Sequence, residues 1–290
     1  MKPAPFDHHA PTTVDEAVDL LAELGDDAKV LAGGQSLAPM LAMRLAVFPH
    51  LVDINGISEL CDIRRQDGYV RVGAAAPDVA VEHHPEVASG APLVSRVSPY
   101  IGHFQIRNRG TLGGSLAHAD PAAEYPAVAL ALDAEMEIRG PGGSRTVAAP
   151  DFFQGVWETA LAPDELLLAA RFPVWDGRCG FGVREMARRH GDFALAGAVA
   201  AVGLDDRGRI DRARLALFGM GPTPLRGRSA ESSLVGTAPG EMDASEVGRL
   251  ALDGFDDPPD DLHAPSWYRR RVGAAMAAGA WQAALEALDA

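Results

Sequence analysis

Apolar residues recur at Val14, Ala17, Val18, Leu21 and Leu24, the three- and four-residue spacing of a helix, with charged residues between them. Thr13-Val14-Asp15-Glu16 has the form of a capping box at its start, and Gly25 ends it. The Pro-rich stretch up to Thr12-Thr13 reads as a lead-in. Residues 29–32 then read as a short apolar strand. Gly33-Gly34-Gln35-Ser36 leads from it into a helix that begins near Ala38, with Pro39 in the first turn, where its missing N–H costs little. Residues 50–55 make a second short strand. Residues 1–56 thus form a β-α-β-like unit.

A second unit covers residues 57–176. Its strand at 69–74 follows the Asp67-Gly68 turn, a short helix starts at Pro77, and His83-His84-Pro85 breaks that helix. Residues 92–101 and 121–132 read as helices, the latter apolar on one face. Gly140-Pro141-Gly142-Gly143 joins strands 135–139 and 144–147 as a hairpin, and Pro173 ends a strand that starts at Glu165. From residue 177 to 290, three strands at 181–187, 196–204 and 210–219 precede helical segments around 225–234, 244–252 and 266–288. The tight Asp205-Asp206-Arg207-Gly208 turn predicts antiparallel pairing. The acidic, Pro-containing link at 253–261 reads as a solvated loop. The pattern is that of an α+β chain: two α/β units, then a three-stranded antiparallel sheet with helices.

Composition narrows the chemistry. A net charge of −14 argues against nucleic acid as the main partner. Cys61 and Cys179 fall short of the four thiolates of an iron–sulfur cluster and make no disulfide framework; idle thiols in a reducing cytoplasm, or a single bridge, fit them. The N-terminus lacks the apolar core of a signal peptide, and no apolar run reaches the roughly 20 residues of a membrane span. These features predict a soluble cytoplasmic protein. There is no G-x-G-x-x-G fingerprint, no P-loop, no zinc spacing and no G-x-S-x-G elbow. His83-His84 reads as a polar loop.

Two glycine stretches stand out against this. Val30-Leu31-Ala32-Gly33-Gly34-Gln35-Ser36 has a later counterpart in Arg109-Gly110-Thr111-Leu112-Gly113-Gly114-Ser115-Leu116-Ala117-His118-Ala119-Asp120-Pro121. Each sets paired glycines beside a hydroxyl, so backbone N–H groups can turn toward an anion and a phosphate can approach closely. Two such loops facing one cleft suit a pyrophosphate held from both sides. His118 lies inside the second; it reads either as a group at the site or as a backbone hydrogen-bonder.

Ala32-Gly33-Gly34-Gln35-Ser36 with Thr111-Leu112-Gly113-Gly114-Ser115 resembles the FAD-binding medium subunit of the molybdenum hydroxylases. That group includes carbon monoxide dehydrogenase and xanthine dehydrogenase. Arg188-Arg189-His190-Gly191-Asp192-Phe193-Ala194, Gly221-Pro222-Thr223-Pro224-Leu225-Arg226 and Ser266-Trp267-Tyr268-Arg269-Arg270 extend the resemblance, in order, over nearly the whole chain. It implies two α/β subdomains clamping FAD and a C-terminal domain with a three-stranded antiparallel sheet and a helix bundle. It also implies that Lys29, Val30, Leu31, Ala32, Gly33, Gly34, Gln35 and Ser36, with Thr111, Gly113, Gly114 and Ser115, hold the pyrophosphate through backbone N–H groups and hydroxyls, with His118 and Asp120 close by. Glu124 matches an acid on the adenosine, or is a helix-start carboxylate. Leu167 and Ile101 match apolar contacts, Phe193 a position beside the flavin ring, and all three read equally as core. Arg184 matches a basic flavin contact.

No catalytic residue and no metal ligand is implied on this chain. The resemblance puts molybdopterin on a large partner subunit and [2Fe–2S] clusters on a small one, in a dimer of heterotrimers. Electrons from the substrate would pass through the clusters to FAD here and on to an external acceptor. Two other classes stay open. One is a stand-alone flavin oxidoreductase of the related fold, whose substrate cleft the Tyr268-Arg269-Arg270-Arg271 helix would have to line instead of being solvated or interface-facing. The other is a non-catalytic module for a phosphate ligand.

Overall fold

The computed structural model describes residues 2–255 and 257–288. The first unit comprises β1 (Asp7–His9), α1 (Val14–Leu24), β2 (Ala28–Leu31), α2 (Leu37–Ala42) and β3 (His50–Asp53). Its three strands are parallel, in the order β1-β3-β2. The Pro-rich lead-in therefore contains a strand. Its prolines flank the three residues that pair with β3, so the ladder loses no donor. The capping box is shifted by one residue: Thr13 Oγ1 accepts from Glu16 N at 3.2 Å, but the Glu16 carboxylate reaches back to Thr12 N at 2.8 Å. Ala17, Val18 and Leu21 of α1 are buried against Val52 and Ile54.

The second unit runs through β4 (Ile63–Gln66), β5 (Tyr69–Gly73), α3 (Asp78–His83), α4 (Pro85–Gly90), α5 (Pro92–Val97), α6 (Phe104–Arg107), α7 (Leu112–His118), α8 (Glu124–Ala131), β6 (Glu135–Gly140), β7 (Gly143–Ala148), α9 (Ala149–Phe152), β8 (Phe153–Gly155), β9 (Glu158–Thr159) and β10 (Leu166–Pro173). Its main sheet is antiparallel, ordered β4-β5-β10-β6-β7. The helix read over 121–132 begins at Glu124 and is buried from Tyr125 to Ala131, not along one face. It runs through the core between this sheet and the next, as its all-round apolar sequence requires. His84 caps α4, its Nδ1 accepting from Glu86 N at 3.3 Å.

The third unit holds β11 (Arg178–Ala187), β12 (Ala194–Leu204), β13 (Ile210–Phe218), β14 (Leu225–Arg226), α10 (Arg228–Leu234), α11 (Ala244–Ala251) and α12 (Ser266–Glu286). The three long strands pair antiparallel, and Leu225-Arg226 adds a two-residue edge strand where helix was expected. One face of the sheet, with Phe181, Val183, Val199 and Ala201, joins the core of the second unit. The other packs on α12. A Cβ on Gly180 or Gly182 would lie 1.9 Å or 2.0 Å from the carbonyl oxygens of Ala284 and Ala280, so helix and strand meet backbone to backbone.

At the basic start of α12, Arg270 and Arg271 are exposed, but Arg269 is not solvated. Arg269 is 4% exposed and donates to Leu195 O at 2.5 Å, Gly219 O at 3.2 Å and Asp261 at 2.6 Å. Hydrogen bonds from Arg269, Ala264 and His263 overcome the opposing effect of burial and bring the Asp261 carboxyl down to about 2. The acidic link at 253–261 is thus tied at one end to the helix; Asp256 within it lies outside the described residues. Cys61 and Cys179 are both free thiols.

Candidate functional site

The two glycine stretches touch. Gly33, just after β2, is buried, and a Cβ there would stand 2.1 Å from Arg109 O and 2.7 Å from Gly110 Cα. Gly34 takes φ +72°, a conformation that suits only glycine well, and so turns the chain away from the strand direction. Side chains fix the turn. Gln35 Nε2 donates to Gly33 O at 2.8 Å, and Asn55 Nδ2 donates to Ala32 O at 2.8 Å. Asp53, at the end of β3, accepts from Asn55 N at 2.9 Å and Nδ2 at 2.6 Å. Burial works against its carboxylate, but the bonds from Asn55 and His8 hold its pKa below the ordinary value. Among the described residues, the amides of Gly34, Gln35 and Ser36 and the Ser36 hydroxyl find no partner within the chain. Adjacent free N–H groups in a left-handed turn make an anion cradle.

The second stretch is the start of α7, and its amides are already engaged. Leu112 N donates to Ala76 O at 3.2 Å and Gly113 N to Ala74 O at 3.1 Å. Thr111 Oγ1 caps the helix by accepting from Gly114 N at 3.1 Å. The amides of Leu112, Gly113 and Gly114 thus already have partners within the fold, unlike those of Gly34, Gln35 and Ser36. Gly113 gives room to the scaffold, since a Cβ there would lie 2.4 Å from Ala74 Cα. Gly114 gives it to the helix cap, since a Cβ there would lie 2.7 Å from Thr111 Oγ1, and it faces the first stretch at 3.6 Å from the Ala32 methyl.

The other candidate residues divide. Lys29 is exposed on β2, its Nζ 5.8 Å from the centre of the Phe48 ring, while Val30, Leu31 and Ala32 are half-buried. His118 closes α7 half-buried; burial and Lys29 lower its pKa against the pull of Asp120, so its imidazole is neutral at pH 7. Leu167 is 4% exposed in the core, and Ile101 is half-buried against that core. Phe193 is 71% exposed, so it is no core residue. It belongs to the β11–β12 link. There Gly191, at φ +83°, packs on His103 so closely that a Cβ would sit 2.8 Å from the ring. Tyr100, Glu185, Ala187, Arg189, His190 and Gly191 line a cavity of about 170 Å³ at this junction.

Arg184 is not brought to this junction. It shares the face of Gly180 and Gly182 and lies against Gly279 of α12. Its neighbour Glu185 faces the cleft instead, its Oε2 buried without a hydrogen-bond partner, and burial raises its pKa to about 7. Glu124 is pushed to about 8 by burial, then by Glu185, Asp78 and Asp120. Asp78 is 3% exposed, and its Oδ1 also lacks a partner. Burial raises it to about 7 despite Arg107, whose guanidinium is held by Glu82 at 2.9 Å and by the carbonyls of Ile101 and Gly102. Asp78, Asn55 and Glu185 were not among the sequence candidates. Only Glu185 carried a signal, the alternation Phe181, Val183, Glu185 along one strand face.

Free amides, two hydroxyls, glycine-made room and cleft-facing carboxyls fit a dinucleotide. Residues 4–175 match the FAD binding domain in molybdopterin dehydrogenase, and residues 182–284 match the CO dehydrogenase flavoprotein C-terminal domain. The chain belongs to this family: it is an FAD-binding medium subunit of the molybdenum hydroxylase type, the flavoprotein component of a multi-subunit oxidoreductase. It is 37% identical over 284 residues to the carbon monoxide dehydrogenase medium chain of Hydrogenophaga pseudoflava, covering 98% of each chain. It is 38% identical over 272 residues to subunit alpha of the 6-hydroxypseudooxynicotine dehydrogenase complex of Paenarthrobacter nicotinovorans, covering 94% of this chain and 92% of that one. A solved structure of the Hydrogenophaga pseudoflava carbon monoxide dehydrogenase superposes with a TM-score of 0.94 at 37% identity over 99% of each chain.

Proposed function

We propose that this chain holds FAD between its two glycine stretches and carries electrons from the iron–sulfur clusters of a small partner subunit to an external acceptor. The observation that carries this reading is the row of free amides at Gly34, Gln35 and Ser36 opposite Gly114 and Ser115. Those amides, with the Ser36 and Ser115 hydroxyls and the Thr111 O–H, would bind the pyrophosphate. Lys29, Val30, Leu31, Ala32, Gly33, Gly113, His118 and Asp120 shape the walls around it. Ile101 and Phe193 fall at the junction with the third unit, where Glu124 and Glu185 present carboxyls that keep their protons near neutral pH. Leu167 backs the site from the core.

Bound FAD supplies the redox chemistry; the protein binds, orients and shields it. No side chain of this chain is required as acid, base or nucleophile. The reading includes three units divided near residues 56 and 176, each with its own sheet. It also includes a large subunit carrying molybdopterin and the substrate site, a dimer of heterotrimers, and a cytoplasmic location. No described helix is long and apolar enough to cross a membrane. Trp267, Tyr268 and Arg271 at the start of α12 line a cavity of about 350 Å³ with Met186. Arg269, however, is spent on internal carbonyls and Asp261, and the relatives are subunits of multi-subunit enzymes, which favours the relay over a stand-alone oxidoreductase.

Anaerobic reconstitution tests the relay. The FAD-loaded chain alone is expected to keep its visible absorbance when substrate is added, and to bleach within turnover time once both partner subunits are present. Bleaching by substrate with the chain alone would contradict it.

A further inference from the structure

The start of α12 leaves a groove that the chain itself does not fill. Tyr268, Arg271, Val272, Ala275 and Met276 follow one another at helical spacing along its side. The helix face that packs on the sheet is a different one: Arg269, Gly273, Ala277 and Ala280 are buried, whereas Arg271 and Ala275 are exposed. Met186, near the end of β11, lines the groove from the sheet. Trp267 lines it too; it is 66% exposed and meets the Tyr268 ring edge-on, with centroids 5.8 Å apart. Trp, Tyr, Met and Arg are the side chains enriched where proteins bind one another, and the first, second and last of these dominate binding energy.

Charge selects the partner. Among the described residues, the Arg271 guanidinium has no hydrogen bond or ion pair, and neither has that of Arg189, three residues beyond Met186. Two acids of the neighbourhood are already taken: Asp261 holds Arg269 at 2.6 Å, and Asp192 lies 4.0 Å from Arg188. On a chain of net charge −14, this groove keeps unpaired positive charge for a negative partner. A [2Fe–2S] cluster ligated by cysteine thiolates is such a centre, because its thiolates and sulfides outweigh the charge of its irons. Position agrees with charge. Glu185 and Ala187, on either side of Met186, line the cavity at the junction of the second and third units, so groove and cavity lie on opposite faces of one strand end. Electron tunnelling falls steeply with distance, so a donor has to dock beside the units that hold the cofactor. Resting on the relay reading above, we infer that the groove of Met186, Trp267, Tyr268 and Arg271 is the docking site of the iron–sulfur partner subunit. That subunit seats an apolar side chain in the groove and a carboxylate on Arg271.

Calorimetric binding of the FAD-loaded chain to the purified iron–sulfur subunit, at low and moderate salt, tests this. Trp267 and Arg271 are exposed, so substitution leaves the core untouched, and FAD content per chain checks the fold. Trp267→Ala is expected to weaken binding by about tenfold and Arg271→Glu by about thirtyfold, the size of effect at the centre of an interface. Leu45→Ala, on the first unit and 70% exposed in the wild type, is the control and binds as the wild type does. Wild-type affinity falls as salt is raised, and falls less in Arg271→Glu. Unchanged affinity in both groove variants overturns the inference. So does a loss seen only toward the molybdenum subunit, or a self-association of the chain that Arg271→Glu abolishes while binding of the iron–sulfur subunit is unchanged. A chain that takes up no FAD, yet loses the iron–sulfur subunit on Trp267→Ala, overturns the cofactor reading alone, which keeps the two failures distinguishable.

Discussion

Gly33→Ala is expected to lower FAD affinity at least a hundredfold while leaving a folded protein. The added methyl would lie 2.1 Å from the Arg109 carbonyl oxygen and 2.7 Å from Gly110 Cα, distances that only backbone movement can relieve. That backbone is pinned. Gly110 N donates to Ile106 O at 2.7 Å, and Gly110 O accepts from Asp78 N at 2.8 Å. The first stretch is held in turn by Asn55 through Ala32 O. Relief must therefore come from parting the two stretches. Overpacking of this kind costs about 1–3 kcal/mol, within the stability of a domain. Hydrogen bonds to a charged group are worth about 1.5–3 kcal/mol each, so losing the alignment of two amides on a phosphate accounts for a loss of this size or more. Gly142→Ala, with nothing within 4 Å of the new Cβ, is the matched control and should bind FAD as the wild type does. Equal affinities for Gly33→Ala and the control, by equilibrium dialysis, would show that the contact between the stretches does not shape the site.

The second large effect concerns pH. Asp78 is buried under Gly110, and its pKa is raised to about 7 by burial, then opposed by Arg107 and reinforced by Glu82. A carboxyl with a raised folded-state pKa holds its proton in the native state after the unfolded chain has lost it. The native state thus binds more protons between about pH 4 and 7, and stability falls as pH rises through that window. Three pH units correspond to on the order of 4 kcal/mol, an upper bound for this group. Asp78→Asn keeps the shape and removes the titration. Chemical denaturation of the apo chain should show little difference between variant and wild type at pH 4.5. At pH 8.5 the variant should be more stable by about 3 kcal/mol. Some slope persists in the variant, because Glu124 and Glu185 lose their own protons in the same range. Parallel pH profiles for the two proteins would mean that Asp78 is charged in the fold.

Much of this architecture was legible in the sequence where local chemistry decides it. The capped first helix, the hairpin at Gly140–Gly143 and the paired glycines each carry their own turn or cap residues. What was illegible depends on contacts distant along the chain. The β1 strand is only Asp7, His8 and His9, and its pairing comes from β3 more than forty residues later. Arg269 reads as a solvated cation until the Leu195 and Gly219 carbonyls are folded beneath it. In the second glycine stretch, sequence shows a loop rich in N–H groups, while the fold has used those groups on Ala74, Ala76 and Thr111. Arg184 and Glu185 show how narrow the margin is. Successive strand residues point to opposite faces, so a shift of one position exchanges a residue on α12 for a carboxyl in the cleft.

FAD is expected to sit between Gly33–Ser36 and Gly114–Ser115. The most direct measurement is the visible spectrum of the purified chain, with the released chromophore identified after denaturation. FAD at close to one per chain is expected, either as isolated or after incubation of the apo chain with added FAD. A colourless protein that takes up no added FAD would contradict it.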